Sequence, residues 1–361
     1  MADLIFDRIA KRIRESKEVR ASGRWTSIPI NFGEGKIELP DIERGKAYGV
    51  LAGTGVGKST ISRFMFAYNV YKHYKDTGYR SKVLFFALED NTERVYIRMM
   101  CHYIFEKFKI EMTPAMILSK RVELPDTYYD MILAAREFFA ELESVVEVID
   151  DCFTPNEILG RVKEYANTIG SFGFNPGEGA GKYVQTEDVH VVVLVDNFFN
   201  VEQDEEDSTE RECIIRLART VMRKIICNEY MFSFVGLLQM SFEYEKRPTD
   251  RNGKLDEQAI VPTLHSIGEV KVTARSFHVM FALYSPQRFE FKTYYGYNIE
   301  RLRDMCRFLV VIKNNDGICN QKMALFYNPI RETFHRLPPS TVENIRELES
   351  WYNLAERNYN L

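Results

Sequence analysis

Residues Ala52 to Thr60 read Ala-Gly-Thr-Gly-Val-Gly-Lys-Ser-Thr and follow the apolar run Ala47 to Leu51. The spacing is that of the phosphate-cradling loop G-x-x-x-x-G-K-[ST], with Ala52 in the place of the first glycine. Glycine there serves the turn rather than the chemistry, so the departure is mild. Gly53, Gly55 and Gly57 let the backbone curl, with Thr54 and Val56 between them, until its N–H groups face phosphate oxygens. Lys58 is placed to reach the β- and γ-phosphates, and Ser59 to offer a hydroxyl to Mg²⁺. The pattern predicts a strand, a tight loop and a helix from Lys58 to about Tyr74 with its positive end at the phosphates, and Thr60 completes the cofactor-binding residues. ATP and Mg²⁺ are the expected cofactors. A second glycine-rich stretch, Gly177 to Lys182, has Tyr183 where the hydroxyl belongs and no apolar run before it. It reads as a loop.

The chain has 361 residues, 45% of them hydrophobic, enough for a large core. A net charge of −4 excludes a strongly basic overall surface of the kind that coats nucleic acid. The six cysteines have no C-x-x-C spacing, which fits reduced thiols and neither a zinc site nor a disulfide framework. No long apolar leader and no run of about 18 apolar residues occurs. A cytoplasmic protein with no membrane partner is expected.

Asp3 to Arg20 places Leu4, Ile5, Ile9 and Ile13 among basic residues, which predicts an amphipathic helix. From Gly45 onward apolar strands alternate with helical segments. Strands are expected at Lys82–Leu88, Val145–Ile149, His190–Val195, Phe232–Leu238, Val279–Tyr284, Phe308–Ile312 and Met323–Tyr327. Helices are expected from Asn91 to about Lys107, Leu124 to Leu142, Pro155 to Thr168 and Ser208 to Tyr230, with a last one from Pro338 to about Asn360. This order argues for an α/β fold with a mostly parallel sheet and helices on both faces. The expected division is a helix in 1–22, one ATPase domain in 23–337 and a C-terminal helix in 338–361.

Hydrolysis of a triphosphate also needs a metal-associated carboxylate and a group that orients or deprotonates water. Ligands in open α/β sheets sit at the carboxyl ends of strands. Asp196 ends the run Val191–Val195, the position of a Mg²⁺-associated acid. Glu89 ends Val83–Leu88, well placed to act on the attacking water. Gln239 ends Phe234–Leu238, where a neutral amide can sense the γ-phosphate.

Together these stretches resemble the RecA-like motor domain of DnaB-type replicative helicases. The similar pieces are Ala-Gly-Thr-Gly-Val-Gly-Lys-Ser at Ala52; Val-Leu-Phe-Phe-Ala-Leu-Glu at Val83, before a helix carrying Arg98; Val-Val-Leu-Val-Asp-Asn at Val192; Leu-Leu-Gln-Met at Leu237; and Ile-Lys-Asn-Asn-Asp-Gly at Ile312. They cover roughly residues 24 to 336 in the family's order. The resemblance implies a RecA-like P-loop NTPase fold, with Glu89 as catalytic base, Asp196 as the Mg²⁺-associated acid and Gln239 as γ-phosphate sensor. Lys313 would reach a neighbouring subunit's nucleotide. It further implies a homo-oligomeric ring, a hexamer, with the N-terminal helix on the adjacent subunit and single-stranded DNA in the channel.

Three features depart from the family. Its late motif is Lys-x-Arg-x-Gly, and here Asn315 stands in the place of the arginine that acts on the neighbour's γ-phosphate. Arg303, Arg307 and Lys313 are the nearby substitutes. The loop after Asp196, Val201 to Asp207, is acidic where the family approaches DNA, and an acidic loop repels phosphate. The family's separate N-terminal helical domain finds no room. In Ser241 to Arg275, Lys271 and Arg275 are the DNA-contact candidates, sharing one face if that stretch is helical. The expected function is that of an ATP-dependent, DnaB-like hexameric helicase or translocase on single-stranded DNA, with a compact build that suits a phage or mobile element. A non-unwinding assembly, loader or regulatory ATPase and a strand-exchange recombinase stay open beside it.

Overall fold

The computed structural model describes residues 5–22, 25–32, 39–119, 123–173, 181–245, 256–268 and 270–359. Its centre is a nine-stranded sheet. In spatial order the strands are Thr333–Arg336, Lys322–Asn328, Cys306–Asn314, Val279–Tyr284, Ala47–Ala52, Ser233–Gln239, His190–Asp196, Ser81–Ala87 and Val146–Ile149. From Val279–Tyr284 to Val146–Ile149 all neighbours run parallel, and the first three strands extend the sheet antiparallel.

Alternation along each strand divides the core into two layers. Ala47 and Leu51 face one, with the Pro155–Ile169 and Glu210–Glu229 helices and part of the C-terminal helix. Tyr48, Val50 and Ala52 face the other, with the helices that follow the glycine-rich loop and Ser81–Ala87. Both faces being covered explains why the parallel strands read as unbroken apolar runs.

Local capping sets the helix starts. Asn91 accepts from the Arg94 N–H at 2.9 Å and opens Thr92–Phe108. Thr154 and Glu157 form a reciprocal capping box before Pro155–Ile169. The helix after the loop runs Lys58–Thr77 with a widened π turn at Phe64–Tyr68, and Gly78 closes it in a left-handed conformation. The long helix expected at Ser208–Tyr230 opens at Thr209 and also widens, at Leu217–Glu229.

Several expectations need correction. Leu124–Leu142 is two helices, Asp126–Ala134 and Arg136–Val145, separated at Ala135. The last helix proper is Ile345–Tyr359, because a residue before a proline is held out of the α region, which keeps Leu337 and Pro338 non-helical, and helical winding begins only at a short 3₁₀ turn, Val342–Asn344. Thr333–Arg336 adds a strand that its mixed polarity hid. The two strands Gly170–Phe172 and Tyr183–Gln185 add a small antiparallel pair. Most of the Gly177–Lys182 stretch lies outside the described residues.

The Ile5–Ala21 helix exposes its apolar side chains, Ile5 at 69%, Phe6 at 72%, Ile9 at 51% and Ile13 at 54%. No helix among the described residues is long and apolar enough to cross a membrane. The six cysteines are free thiols.

Candidate nucleotide site

The glycine-rich loop leaves the carboxyl end of Ala47–Ala52, where the register sets Ala52 against Gln239 on one side and Leu283 on the other. Ala52 is still extended and pairs as a strand residue, so its place requires no glycine. The left-handed turns fall later, at Gly55 (φ 69°) and Gly57 (φ 102°), where a side chain would be strained. Gly57 caps the helix that begins at Lys58.

A cleft of about 330 Å³ opens at this end of the sheet, lined by Ala52–Gly55 and Gly57–Thr60 with Arg63, Glu89, Asp90, Arg98 and Gln239. Burial pushes the Lys58 ammonium below its ordinary pKa, opposed by Asp196 and Glu89. Burial likewise raises the Asp196 carboxyl, opposed by Lys58, Arg63 and the Ser59 hydroxyl. Asp196 Oδ1 is buried with no hydrogen-bond partner. An orphaned carboxylate oxygen beside a serine hydroxyl is a hard-oxygen donor set that suits Mg²⁺, which takes few protein ligands and completes its shell with phosphate and water. Among the described residues no group of three or more His, Cys, Asp or Glu could cage a metal alone.

Glu89 follows the Ser81–Ala87 strand, and its Oε1 accepts from the side-chain amides of Asn197 at 3.0 Å and Asn200 at 3.2 Å. Gln239 Nε2 donates to Thr54 Oγ1 at 2.8 Å, tying the end of one strand to the loop of the next. Lys58, Ser59, Glu89, Asp196 and Gln239, far apart in the chain, therefore meet at one end of the sheet.

Sequence reasoning missed the supports of the loop. Arg307 is fully buried and donates through Nε to the Val56 carbonyl at 2.7 Å. Its Nη1 reaches the Asp304 carbonyl at 2.6 Å and Ser285 Oγ at 3.2 Å. The guanidinium lies over the Tyr327 ring. It is spent inside its own chain, which removes it from the substitutes for the missing arginine. A lone arginine in the apolar run Cys306–Val311 was the available signal. Arg288 donates to the Thr54 carbonyl from the other side. Next to the cleft, buried Glu332 accepts from Thr60 Oγ1 at 2.7 Å, Arg63 Nη2 at 2.9 Å and Arg98 Nη1 at 2.6 Å. Burial works to raise the pKa of Glu332, but Arg63, Arg98 and Thr60 carry it below its ordinary value.

Other candidates lie elsewhere. Lys313 pairs with Met280 and Met280 with Gly49, toward the amino ends of the parallel strands and away from this cleft. Its ammonium donates to the carbonyls of Ala274 at 2.9 Å and Phe277 at 2.6 Å. Lys271 and Arg275 are exposed on a 3₁₀ helix, Lys271–Ser276. At three residues per turn, positions four apart point roughly 120° from each other, so the shared face expected for them is corrected. The acidic loop is drawn onto its own domain: Arg216 holds Asp204, Glu206 at 2.8 Å and Asp207 at 2.7 Å.

No family model matches the sequence, and no curated protein matches it either. Solved structures do. The ATPase domain of G40P superposes with a TM-score of 0.62 at 15% identity, over 92% of this chain and 98% of that one. A DnaB-like replicative helicase, described with its interactions with primase, superposes with a TM-score of 0.62 at 14% identity, over 90% of this chain and 66% of that one. The chain thus spans almost all of the isolated ATPase domain and just under two thirds of the longer helicase. Its fold is the RecA-like P-loop NTPase fold of the DnaB-type helicase motor domain.

Proposed function

We propose that this chain is the ATP-hydrolysing subunit of a DnaB-like ring that moves along single-stranded DNA. The observation that carries the reading is the meeting of Lys58, Ser59, Glu89, Asp196 and Gln239 at the carboxyl ends of four strands. Lys58 and the loop N–H groups hold the phosphates. Ser59 and Asp196 would hold Mg²⁺, which would neutralise phosphate charge there. Glu89, steadied by two amides, takes a proton from water as the water oxygen bonds to the γ-phosphorus. The bond to the bridging oxygen breaks, and ADP leaves with the electron pair. Gln239 senses the γ-phosphate from its bond to Thr54.

Assembly is supported by the Ile5–Ala21 helix. Four large apolar side chains in water forgo roughly 1.5–3 kcal/mol each that burial would return. Tyr129 and Leu133, exposed at 53% and 55% on Asp126–Ala134, are an apolar counterpart that a neighbouring copy can offer. For DNA, Lys271 and Arg275 are the proposed phosphate contacts, and Arg216 offsets the acidity of the loop after Asp196.

The test is ATP turnover with and without single-stranded DNA across a range of salt, with particles viewed by negative stain in ATP and Mg²⁺. Closed rings and DNA-stimulated turnover that weakens with salt are expected. Rings whose turnover ignores DNA at low salt remove the translocase reading, and filaments without rings point to strand exchange instead.

A further inference from the structure

The late strand ends in Lys313-Asn314-Asn315, and no guanidinium stands at 315. The fold brings one beside it from another element. The Asn315 N–H donates to the His278 carbonyl at 3.0 Å. Arg223, on the widened helix Leu217–Glu229, lies against the ring of that same histidine, with Nη1 at 2.6 Å from Nδ1. His278 Nδ1 also accepts from the Ala47 N–H at 2.8 Å, so this nitrogen carries no proton. Burial, Arg223 and Lys46 push the His278 pKa down to about 4. The ring is therefore a neutral seat for the guanidinium and not its counter-charge.

Lys313 stands in the same field. Its ammonium meets only main-chain carbonyls, and burial and Arg223 both lower its pKa. The nearby carboxylate, Asp316, is taken by Lys46 at 2.7 Å, which also bonds Glu43 at 2.8 Å. Among the described residues neither Arg223 nor Lys313 pairs with an acid. Two neighbouring cations repel each other, and a multiply charged anion is their complement. The chain's own nucleotide cannot be that anion, because Lys313 lies toward the amino ends of strands whose carboxyl ends carry the phosphate loop. A second copy is the source the molecule offers, since its apolar N-terminal helix is uncovered.

We propose that Arg223 and Lys313 together bind the terminal phosphate of ATP held by a neighbouring copy, with Arg223 supplying in trans the guanidinium that Asn315 does not. The inference rests on the ring-forming ATPase reading and adds a residue outside the late motif. Arg223 donates to γ-phosphoryl oxygens as negative charge builds on them during attack by water.

The experiment compares turnover at saturating ATP and Mg²⁺ for the unaltered chain, Arg223→Gln, and an equimolar mixture of Arg223→Gln with Lys58→Ala. Arg223→Gln should lower kcat by about 10³-fold, the lower end for such a group. It should keep its thermal transition and, diluted until copies are separate and the contact in trans is absent, bind a fluorescent ATP analogue within about twofold of the unaltered chain, the scale set by a difference under roughly 0.5 kcal/mol. Mixing should restore turnover above the sum of the separate proteins, because Lys58→Ala copies lend an intact Arg223 to sites intact in the other variant. Unchanged kcat in Arg223→Gln, or no recovery on mixing, overturns the inference and leaves the ATPase reading standing. If the unaltered chain itself does not turn over, the ATPase reading fails, and sedimentation with ATPγS decides the anion site. Assembly weakened by Arg223→Gln supports it, and equal assembly overturns it.

Discussion

At the scale of single residues, the site sets charge against burial. Asp196 is kept buried beside Lys58 with one oxygen unpartnered. Its carboxyl pKa is raised on folding, so the folded state binds more protons than the unfolded one above the ordinary carboxylate range, and stability falls as pH rises through that window. Asp196→Asn should therefore raise the melting temperature of the nucleotide-free protein near neutral pH while abolishing Mg²⁺-dependent turnover. Calorimetry and an ATPase assay read both, and a lowered melting temperature refutes the account of an uncompensated carboxylate. Glu89→Gln keeps a polar side chain between Asn197 and Asn200 but cannot take a proton. ATP affinity should stay near that of the unaltered chain and turnover should fall about 10²–10⁴-fold, the usual range for a general base. Arg307→Met fills similar space but leaves the Val56 and Asp304 carbonyls without their donor. A loss of about 3 kcal/mol in a denaturant titration is expected, the scale of removing one member of a buried charged network. Weaker ATP binding should accompany it.

Among the elements, strands were the most legible. Each buried run, such as Val191–Val195, gave its strand to within a few residues, because a strand covered on both faces has no polar side to confuse the pattern. The residues placed at strand ends follow from the same reading, since they are the first polar positions after the runs. What stayed hidden depends on contacts across long separations. Glu332 sits in a polar turn 272 positions from Thr60, and nothing local to it announces a buried anion. Arg223 looks like one more basic residue on a helix until the fold sets it on His278. The split at Ala135 and the 3₁₀ winding of Lys271–Ser276 also escape periodicity, which cannot tell one long helix from two or a tight helix from a regular one. The Ile5–Ala21 helix carries its own prediction. Ile9→Glu with Ile13→Glu should leave the melting temperature of the separated subunit unchanged within a few degrees, because both side chains are already exposed. Light scattering should then show loss of the ATP-dependent assembly, and intact assembly would remove this helix from the subunit contact.

Across the whole molecule, buried neutral histidines set the acid limit. His190 is fully buried between Ser233 Oγ at 2.8 Å and Tyr79 at 3.2 Å, and burial drives its pKa down to about 3. His278 follows at about 4. A depressed histidine leaves the unfolded chain binding more protons, so its contribution is complete above the ordinary histidine value near 6.5 and is lost as pH falls below it. Fully buried His190 should contribute a slope of up to about 1.4 kcal/mol per pH unit between its two values, and half-buried, solvent-screened His278 a smaller one. Unfolding free energies measured from pH 7 to 4.5 should fall accordingly, and His190→Gln should flatten the curve. A curve as steep without His190 would place the acid sensitivity elsewhere. One strand, finally, touches both proposed halves of the catalytic arrangement. Cys306–Asn314 grips the phosphate loop of its own chain through Arg307 and carries Lys313 near its far end. Six residues of extended chain make a stiff rod of roughly 20 Å. In the proposed ring, a shift of one copy's loop on losing its phosphate would be carried along this rod to the next copy's triphosphate, as in linked escapements.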